Sequence, residues 1–149
     1  MNRILVMHGV NLNLFGKRDP KHYGTETLEG INGKLSALAG ELGVEVSFFQ
    51  SNYEGAFVER IQEAHGDGTA GIVLNAGAWT HYSYAIMDAL GILSIPVVEV
   101  HMSNVHAREE FRHHSVLSTV SAGSIAGFGV DSYLLGLRAA CSLLERKDA

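Results

Sequence analysis

The stretch GIVLNAGAWTHYSYAIMDALGILSIPVVEV, residues 71–100, decides the fold. It begins with a short apolar run, 71–74, and ends with a β-branched run, 96–100, and both are typical of buried strands. Residues 82–90 between them have the pattern of a helix. Parallel strands need a long crossover connection, usually a helix. The stretch therefore predicts a strand–helix–strand unit with parallel strands.

The same alternation extends in both directions. Thr25 is expected to cap a helix over 25–42, and Gly43 to end it. The other predicted strands are 3–7, 44–49 and one within 116–125, and the other predicted helices are 54–65 and 130–146. Five strands alternating with helices indicate an α/β, three-layer α/β/α fold. For one domain spanning 1–149, the flavodoxin-like order 2-1-3-4-5 is the simplest five-stranded parallel sheet.

Composition narrows the class of protein. Of the 149 residues, 46% are hydrophobic and 18% are charged, which excludes extensive disorder. The net charge of -5 argues against a broad basic surface for nucleic acid. The single cysteine, Cys141, excludes a disulfide within the chain and is expected to pack in the last helix. No apolar run approaches the ~20 residues of a membrane span, so we expect a cytoplasmic protein without membrane contacts.

Polar residues follow each predicted strand. In sheets of this kind, ligands bind beyond the carboxyl ends of the strands. Candidate site residues at this edge are Asn11, Arg18 and Tyr23 after the first strand, Asn75 and His81 after the third, and His101, Ser103 and Arg112 after the fourth. The pattern favours a small-molecule site.

The loop over residues 8–24 is longer than a usual strand–helix connection and has the length of a lid. A tyrosine, with a pKa of about 10, is too weakly acidic to act as a base at neutral pH. A guanidinium ~4 Å away contributes roughly 4 kcal/mol, or about three pKa units. Arg18 could therefore make Tyr23 a base. The alternative is a solvated loop anchored by the Tyr23 ring.

Glu99 and His101 are two residues apart on a predicted strand, so their side chains point to the same side. A carboxylate-oriented histidine is a good general acid or base. The alternative is a polar pair at the sheet edge. A metal site is also considered, because four histidines and two glutamates lie in 101–114, but their spacing matches no metal motif. Residues 75–81 also allow two interpretations. They form either a loop whose small residues let a ligand approach the backbone closely, or a turn with a helix-capping threonine.

Three segments together resemble the type II 3-dehydroquinate dehydratases. These are 8–14 with Arg18 and Tyr23, then 50–52 with 75–81, then 99–112. They match the family in order and spacing, and the resemblance covers essentially the whole chain. It implies a flavodoxin-like fold and dehydration of 3-dehydroquinate to 3-dehydroshikimate in the shikimate pathway. It also implies chemistry without metal or organic cofactor.

The resemblance implies catalytic roles. Tyr23 would remove a proton from C2 of the substrate, with its pKa lowered by Arg18. Asn11 would hold a water that stabilises the enolate. His101, oriented by Glu99, would protonate the departing C1 hydroxyl.

The resemblance also implies binding roles and an assembly. Substrate hydroxyls would be bound by Asn75, His81 and Arg112, and the carboxylate by the amides of Met102 and Ser103. Family enzymes are dodecamers built from trimers, and Asp88 matches a position that reaches a neighbouring subunit's site.

Some residues depart from the family pattern. Val10 replaces a usual proline, Tyr53 a polar or imidazole residue, and Ser132 a usual glycine. None is a catalytic position. The lysines (Lys17, Lys21, Lys34, Lys147) lie in polar segments, which argues against an imine mechanism. Two alternatives remain open from the sequence, the same chemistry in quinate catabolism and a non-catalytic flavodoxin-like binding module.

Overall fold

Five parallel strands form the sheet in the order β2-β1-β3-β4-β5, which confirms the predicted order. The strands are β1 Arg3–His8, β2 Glu45–Gln50, β3 Gly71–Asn75, β4 Val97–His101 and β5 Gly123–Ala126. The helices are α1 Pro20–Tyr23, α2 Leu28–Leu42, α3 Glu54–Ala64, α4 Tyr84–Gly91 and α5 Val130–Asp148. The computed structural model describes residues 1–17, 19–23 and 25–148, without the side chains of residues 20, 23, 147 and 148.

The sheet separates two apolar cores. Successive side chains of a strand point to opposite faces, so Ile4 and Val6 pack with α2 and α5, whereas Leu5 and Met7 pack with α3 and α4. All four side chains have no exposed surface. Burial on both faces explains why the inner strands are continuous apolar runs rather than alternating ones.

The predicted start of α2 at Thr25 is wrong, because Thr27 is the N-cap. The Thr27 hydroxyl accepts a hydrogen bond of 3.1 Å from the Gly30 amide. An N-cap side chain reaches the second or third helical amide, so the capping threonine must directly precede the first turn. The predicted end of this helix is confirmed, since Gly43 has the left-handed conformation with φ 71°.

The predicted fifth strand within 116–125 is confirmed, but it occupies only the end of that segment and extends one residue beyond it. Val116 and Leu117 are buried in the core beside α3 and α4, and Ser118–Val120 forms a 3₁₀ turn. The strand itself is only Gly123–Ala126, at the edge of the sheet and half exposed. The small residues of β5 give little of the apolar pattern that predicts a strand. The apolar residues of the predicted segment are Val116 and Leu117, which are buried in the core but lie outside the strand.

Two further predicted segments contain unexpected structure. The predicted loop over 8–24 contains a 3₁₀ turn at Leu12–Leu14 and the short α1. The helix predicted from residue 82 begins at Tyr84, because the Ser83 hydroxyl caps it by accepting from the Ile86 amide at 3.1 Å. Within the described ranges, no helix has both the length and the apolar character needed to cross a membrane.

Candidate active site

A cleft opens at the carboxyl edge of the sheet, where the segments after β1, β3 and β4 meet. Its walls include most of the predicted site residues, namely Asn11, Asn75, His81, His101, Met102, Ser103 and Arg112. The fold thus brings together side chains from three strand ends, as the sequence predicts.

Glu99 and His101 form a buried polar pair at the cleft. His101 Nε2 lies 2.6 Å from Glu99 Oε2, and the two residues are 8% and 2% exposed. The other carboxylate oxygen accepts a hydrogen bond of 3.0 Å from the Ser115 hydroxyl. The imidazole is therefore held through Nε2, and no described residue hydrogen-bonds its Nδ1. A histidine fixed in this way can exchange a proton at Nδ1.

His81 lies beside His101, with the two rings nearly parallel and their centroids 6.5 Å apart. His81 Nδ1 donates to the His114 carbonyl oxygen at 2.8 Å. Burial, reinforced by the nearby His101 and Arg112, lowers the pKa of His81. The ring is therefore neutral at pH 7, and its Nε2 is a hydrogen-bond acceptor suited to a ligand hydroxyl.

Asn75 ends β3 with its side-chain amide held on two sides. Its Oδ1 accepts from the Gly77 amide at 3.1 Å, and its Nδ2 donates to the Tyr133 hydroxyl at 3.0 Å. Gly77 has φ 62°, and a Cβ there would lie 2.9 Å from the Val10 carbonyl oxygen. A glycine is thus required at this position, and it lets the loops after β1 and β3 approach closely at the cleft.

Asn11 adopts the left-handed conformation, with φ 68°. Asparagine tolerates this conformation better than most residues, and such strain is common at functional sites. The Asn11 amide donates to Asn52 Oδ1 at 2.9 Å, and Gln50 Nε2 donates to the same oxygen at 3.1 Å. These bonds fix the backbone and leave the exposed Asn11 side chain facing solvent at the cleft.

Two arginines give the cleft a positive wall in an acidic protein. Arg112 lies 4.7 Å from the Phe111 ring centroid and donates through Nε to Glu109 Oε2 at 3.1 Å. Arg108 donates to the Ser103 hydroxyl at 3.2 Å. Both guanidinium groups line the cleft, so the wall is suited to a ligand with a carboxylate or several hydroxyls.

Four of the predicted site residues are not part of this cleft as described. Glu99 is bonded to His101 and lines an adjoining cavity instead. Arg18 and the Tyr23 side chain lie outside the described residues. Asp88 is exposed on α4 and does not line the cleft of its own chain. The segment that carries Tyr23 is nevertheless nearby, since Lys21 and His22 of α1 line a second cavity together with Ser103 and Arg108.

Sequence reasoning missed several residues around the cleft. Arg108 lay within the predicted polar segment but was given no role. Ser115, sixteen residues after Glu99, reaches the carboxylate only through the folded loop. Tyr133 lies within the predicted helix 130–146 and has no sequence motif of its own, although its hydroxyl accepts from Asn75. A buried tyrosine usually needs a hydrogen-bond partner for its hydroxyl, and this requirement is the reason to expect a polar contact at Tyr133.

The positions that depart from the family pattern are near the site but are not part of its polar wall. Val10 lines the cleft, Tyr53 is exposed, and the buried Ser132 hydroxyl accepts from the Phe128 amide at 3.0 Å. In the part of the chain that the structure describes, no three His, Cys, Asp or Glu side chains are grouped closely enough to hold a metal ion.

The cleft lies at the carboxyl edge of a parallel sheet and holds a carboxylate-bound histidine and two arginines. This fold and site define an α/β enzyme that acts on small molecules. Comparison with known proteins identifies the family. The family described as dehydroquinase class II matches residues 2–141. The chain belongs to the class II dehydroquinase family.

Relatives and solved structures agree with this assignment. A 3-dehydroquinate dehydratase from Leptothrix cholodnii is 62% identical over 98% of each chain. One from Syntrophotalea carbinolica is 61% identical over 97% of this chain and 98% of its own. The crystal structure of a type II dehydroquinase from Butyrivibrio crossotus superposes with a TM-score of 0.91 at 46% identity, covering 93% of this chain and 97% of its own.

Proposed function

We propose that this protein catalyses the trans-elimination of water from 3-dehydroquinate to give 3-dehydroshikimate, through an enolate, in the shikimate pathway. The observation that carries the proposal is the Glu99–His101 pair, with its 2.6 Å contact, opening onto the cleft in a class II dehydroquinase chain. The whole chain, residues 1–149, would act as one catalytic domain.

The first step breaks the C2–H bond. Tyr23, as a phenolate, takes the proton, and the electron pair moves toward the C3 carbonyl to form the enolate. Arg18 stabilises the phenolate by its charge, which is the effect that makes a tyrosine basic enough at neutral pH. The position of α1 beside Ser103 and Arg108 supports this assignment, because it brings the segment that carries Tyr23 to the cleft.

The second step breaks the C1–O bond. The enolate electrons form the C1–C2 double bond, and the hydroxyl leaves as water after taking a proton from His101. Glu99, 2% exposed and bound to Nε2, stabilises the imidazolium that donates this proton. The ring must donate through Nδ1, since Nε2 is occupied. The product is a conjugated enone.

The other residues of the cleft bind the substrate. Asn75 and the neutral His81 offer directed hydrogen bonds to ring hydroxyls, and Arg112 adds a charged donor. The amides of Met102 and Ser103 hold the carboxylate at the start of the segment after β4. Asn11 holds a water against the enolate oxygen, and its rigid left-handed backbone supports such a preorganised role.

The enzyme would work in the cytoplasm as a dodecamer built from trimers. Large apolar side chains are exposed on and near α4, including Tyr82, Tyr84 and Ile92, which are 60%, 65% and 63% exposed. Such side chains favour contacts between copies of the chain. Asp88, exposed on the same helix, would then contribute to the site of the adjacent subunit.

Ultraviolet absorbance of the purified protein mixed with 3-dehydroquinate tests the proposal. We expect the absorbance of the conjugated enone to grow. The rate should be unchanged after borohydride treatment in the presence of substrate, because Lys17, Lys21 and Lys34 are all exposed and none is suited to an imine. Chelation should also leave the rate unchanged. A folded sample that forms no enone would contradict the proposal and favour a non-catalytic binding module.

A further inference from the structure

A chain of buried hydrogen bonds leads from the surface of α2 to the cleft. His8, at the end of β1, is fully buried, and both its ring nitrogens are bonded. Its Nε2 lies 2.8 Å from Asn32 Oδ1, and its Nδ1 lies 2.8 Å from the Tyr133 hydroxyl. The same hydroxyl accepts from Asn75 Nδ2 at 3.0 Å. His8 and Asn75 are also direct neighbours in the β1–β3 register.

Only one direction of donation satisfies every group in this chain. The Gly77 amide can only donate, so it fixes Oδ1 of Asn75 as the acceptor and leaves Nδ2 to donate to Tyr133. The Tyr133 hydroxyl must then donate its own proton to His8 Nδ1. His8 accordingly carries its proton on Nε2 and donates it to Asn32. Burial lowers the pKa of His8 to about 4 and raises that of Tyr133, so both stay neutral at pH 7.

The consequence for Asn75 is a fixed amide. A side-chain amide has two N–H donors and two acceptor lone pairs. Tyr133 takes one donor and Gly77 takes one lone pair. One donor and one lone pair remain, and Asn75 lines the cleft. If the Tyr133 hydroxyl were absent, the bond from the Gly77 amide would be the one described restraint left on the Asn75 amide, which would then be freer to rotate.

We propose that His8 and Tyr133 are positioning residues that, with Asn32, hold the Asn75 amide in one orientation so that its free donor and acceptor meet the substrate. The inference rests on the proposed function, since the ligand is taken to be 3-dehydroquinate. None of the three touches the cleft, and each acts only through the next. This chain of hydrogen bonds, or relay, explains why the polar side chains of His8 and Tyr133 are fully buried beneath the proposed substrate site.

The first test does not depend on activity. Nitrogen-15 NMR of the imidazole at pH 7 should show His8 protonated on Nε2 and bare at Nδ1. A His8 ring protonated on Nδ1 would overturn the relay, because Tyr133 would then have no acceptor for its proton.

The second test is kinetic and uses Tyr133→Phe in the full chain. We expect KM for 3-dehydroquinate to rise about tenfold, with kcat within about threefold of wild type, because the variant loosens a binding group. In an Asn75→Ala background, Tyr133→Phe should change KM no further. Leu137→Val is the matched control, since Leu137 is equally buried one turn along α5 and packs in the same core. It should lower stability and leave KM unchanged.

Asn32→Ala covers the case in which Tyr133→Phe fails to fold, because Asn32 is only half buried on α2. It removes the far acceptor and should raise KM about threefold. The inference is wrong if both foldable variants keep the KM of the Leu137→Val control, or if their effect persists without the Asn75 amide. An inactive wild-type protein would contradict the proposed function alone, because the NMR test would still decide the relay.

Discussion

Two histidines end two strands of the same sheet, and their surroundings differ in one decisive respect. His8 ends β1 and His101 ends β4, and both are nearly inaccessible. His8 has neutral partners on both ring nitrogens, Asn32 and Tyr133. His101 has a carboxylate on one nitrogen, and its ring lines the open cleft.

The comparison shows how environment assigns different tasks to the same side chain. Burial without a countercharge keeps His8 neutral and lowers its pKa to about 4, so it can only position its neighbours. The buried carboxylate beside His101 stabilises the charged ring, which a proton donor must form. For His8 to act as His101 does, a carboxylate would have to lie beside it on β1, whereas Glu99 lies on β4 with β3 between the two strands.

The largest effect is expected from His101→Asn. Losing the proposed proton donor should lower kcat about a thousandfold, because general acid–base groups contribute between about 10² and 10⁴. The same substitution at the exposed His65 is the control and should leave kcat unchanged. Steady-state kinetics and thermal unfolding of both variants provide the measurement. A His101→Asn enzyme with kcat near that of the control would contradict the proposed difference in role between His101 and His8.

A stability effect should distinguish His8. Unfolded His8 titrates near 6.5 and folded His8 at about 4, so between these values the unfolded state binds more protons. Stability from this group is complete above about pH 6.5 and decreases as the pH falls to about 4, by ~3 kcal/mol in total. Urea unfolding of wild type and His8→Gln from pH 7 to 4.5 measures it. We expect the variant to lose less stability on acidification, and parallel losses would refute the assignment.

Glu99→Gln removes only the charge beside His101, so it tests whether the carboxylate accounts for the difference between His101 and His8. The side chain keeps its size, but it no longer stabilises the imidazolium, and kcat should fall about thirtyfold. Glu45→Gln, at an exposed position, is the matched control. The variant should fold normally by circular dichroism. An unchanged kcat would mean that the carboxylate only fills space.

The smallest effect is expected from Ser115→Ala. The hydroxyl donates to the Glu99 oxygen that does not touch His101, at 3.0 Å. Its loss should lower kcat about threefold, as expected for one hydrogen bond acting through another group. Ser121→Ala removes a hydroxyl that donates to the Leu117 carbonyl oxygen instead and should have no kinetic effect. Equal kinetics of the two variants would exclude Ser115 from the site.

Much of the fold followed from local pattern. The buried strands β1, β3 and β4 are apolar runs because helices cover both faces of the sheet, so their positions were predictable. Strand β5 was predicted only within a ten-residue segment, and its bounds did not follow from the sequence because it is a short edge strand of small residues. The cap at Thr27 was missed because two threonines precede α2, and only the folded turn distinguishes them.

The site was predictable where its residues are close in sequence. Glu99 and His101 alternate on one strand, and their side chains meet as the alternation predicts. The contact between His8 and Tyr133 joins residues 125 positions apart, and no local pattern indicates it. The catalytic and binding roles of all the site residues remain predictions from family resemblance, and for Arg18, Tyr23 and Asp88 the described cleft adds no contact.

Whether the carboxyl-edge cleft is the substrate site can be decided by an NMR titration with 3-dehydroquinate of the His101→Asn variant, in which turnover should be about a thousandfold slower. The ring signals of each histidine report on a different region. We expect saturable shifts of His81, which lines the cleft, and none of His65, which follows α3, is exposed and does not line the cleft. Shifts confined to His65, or no shift of His81 at saturating substrate, would contradict the proposed site.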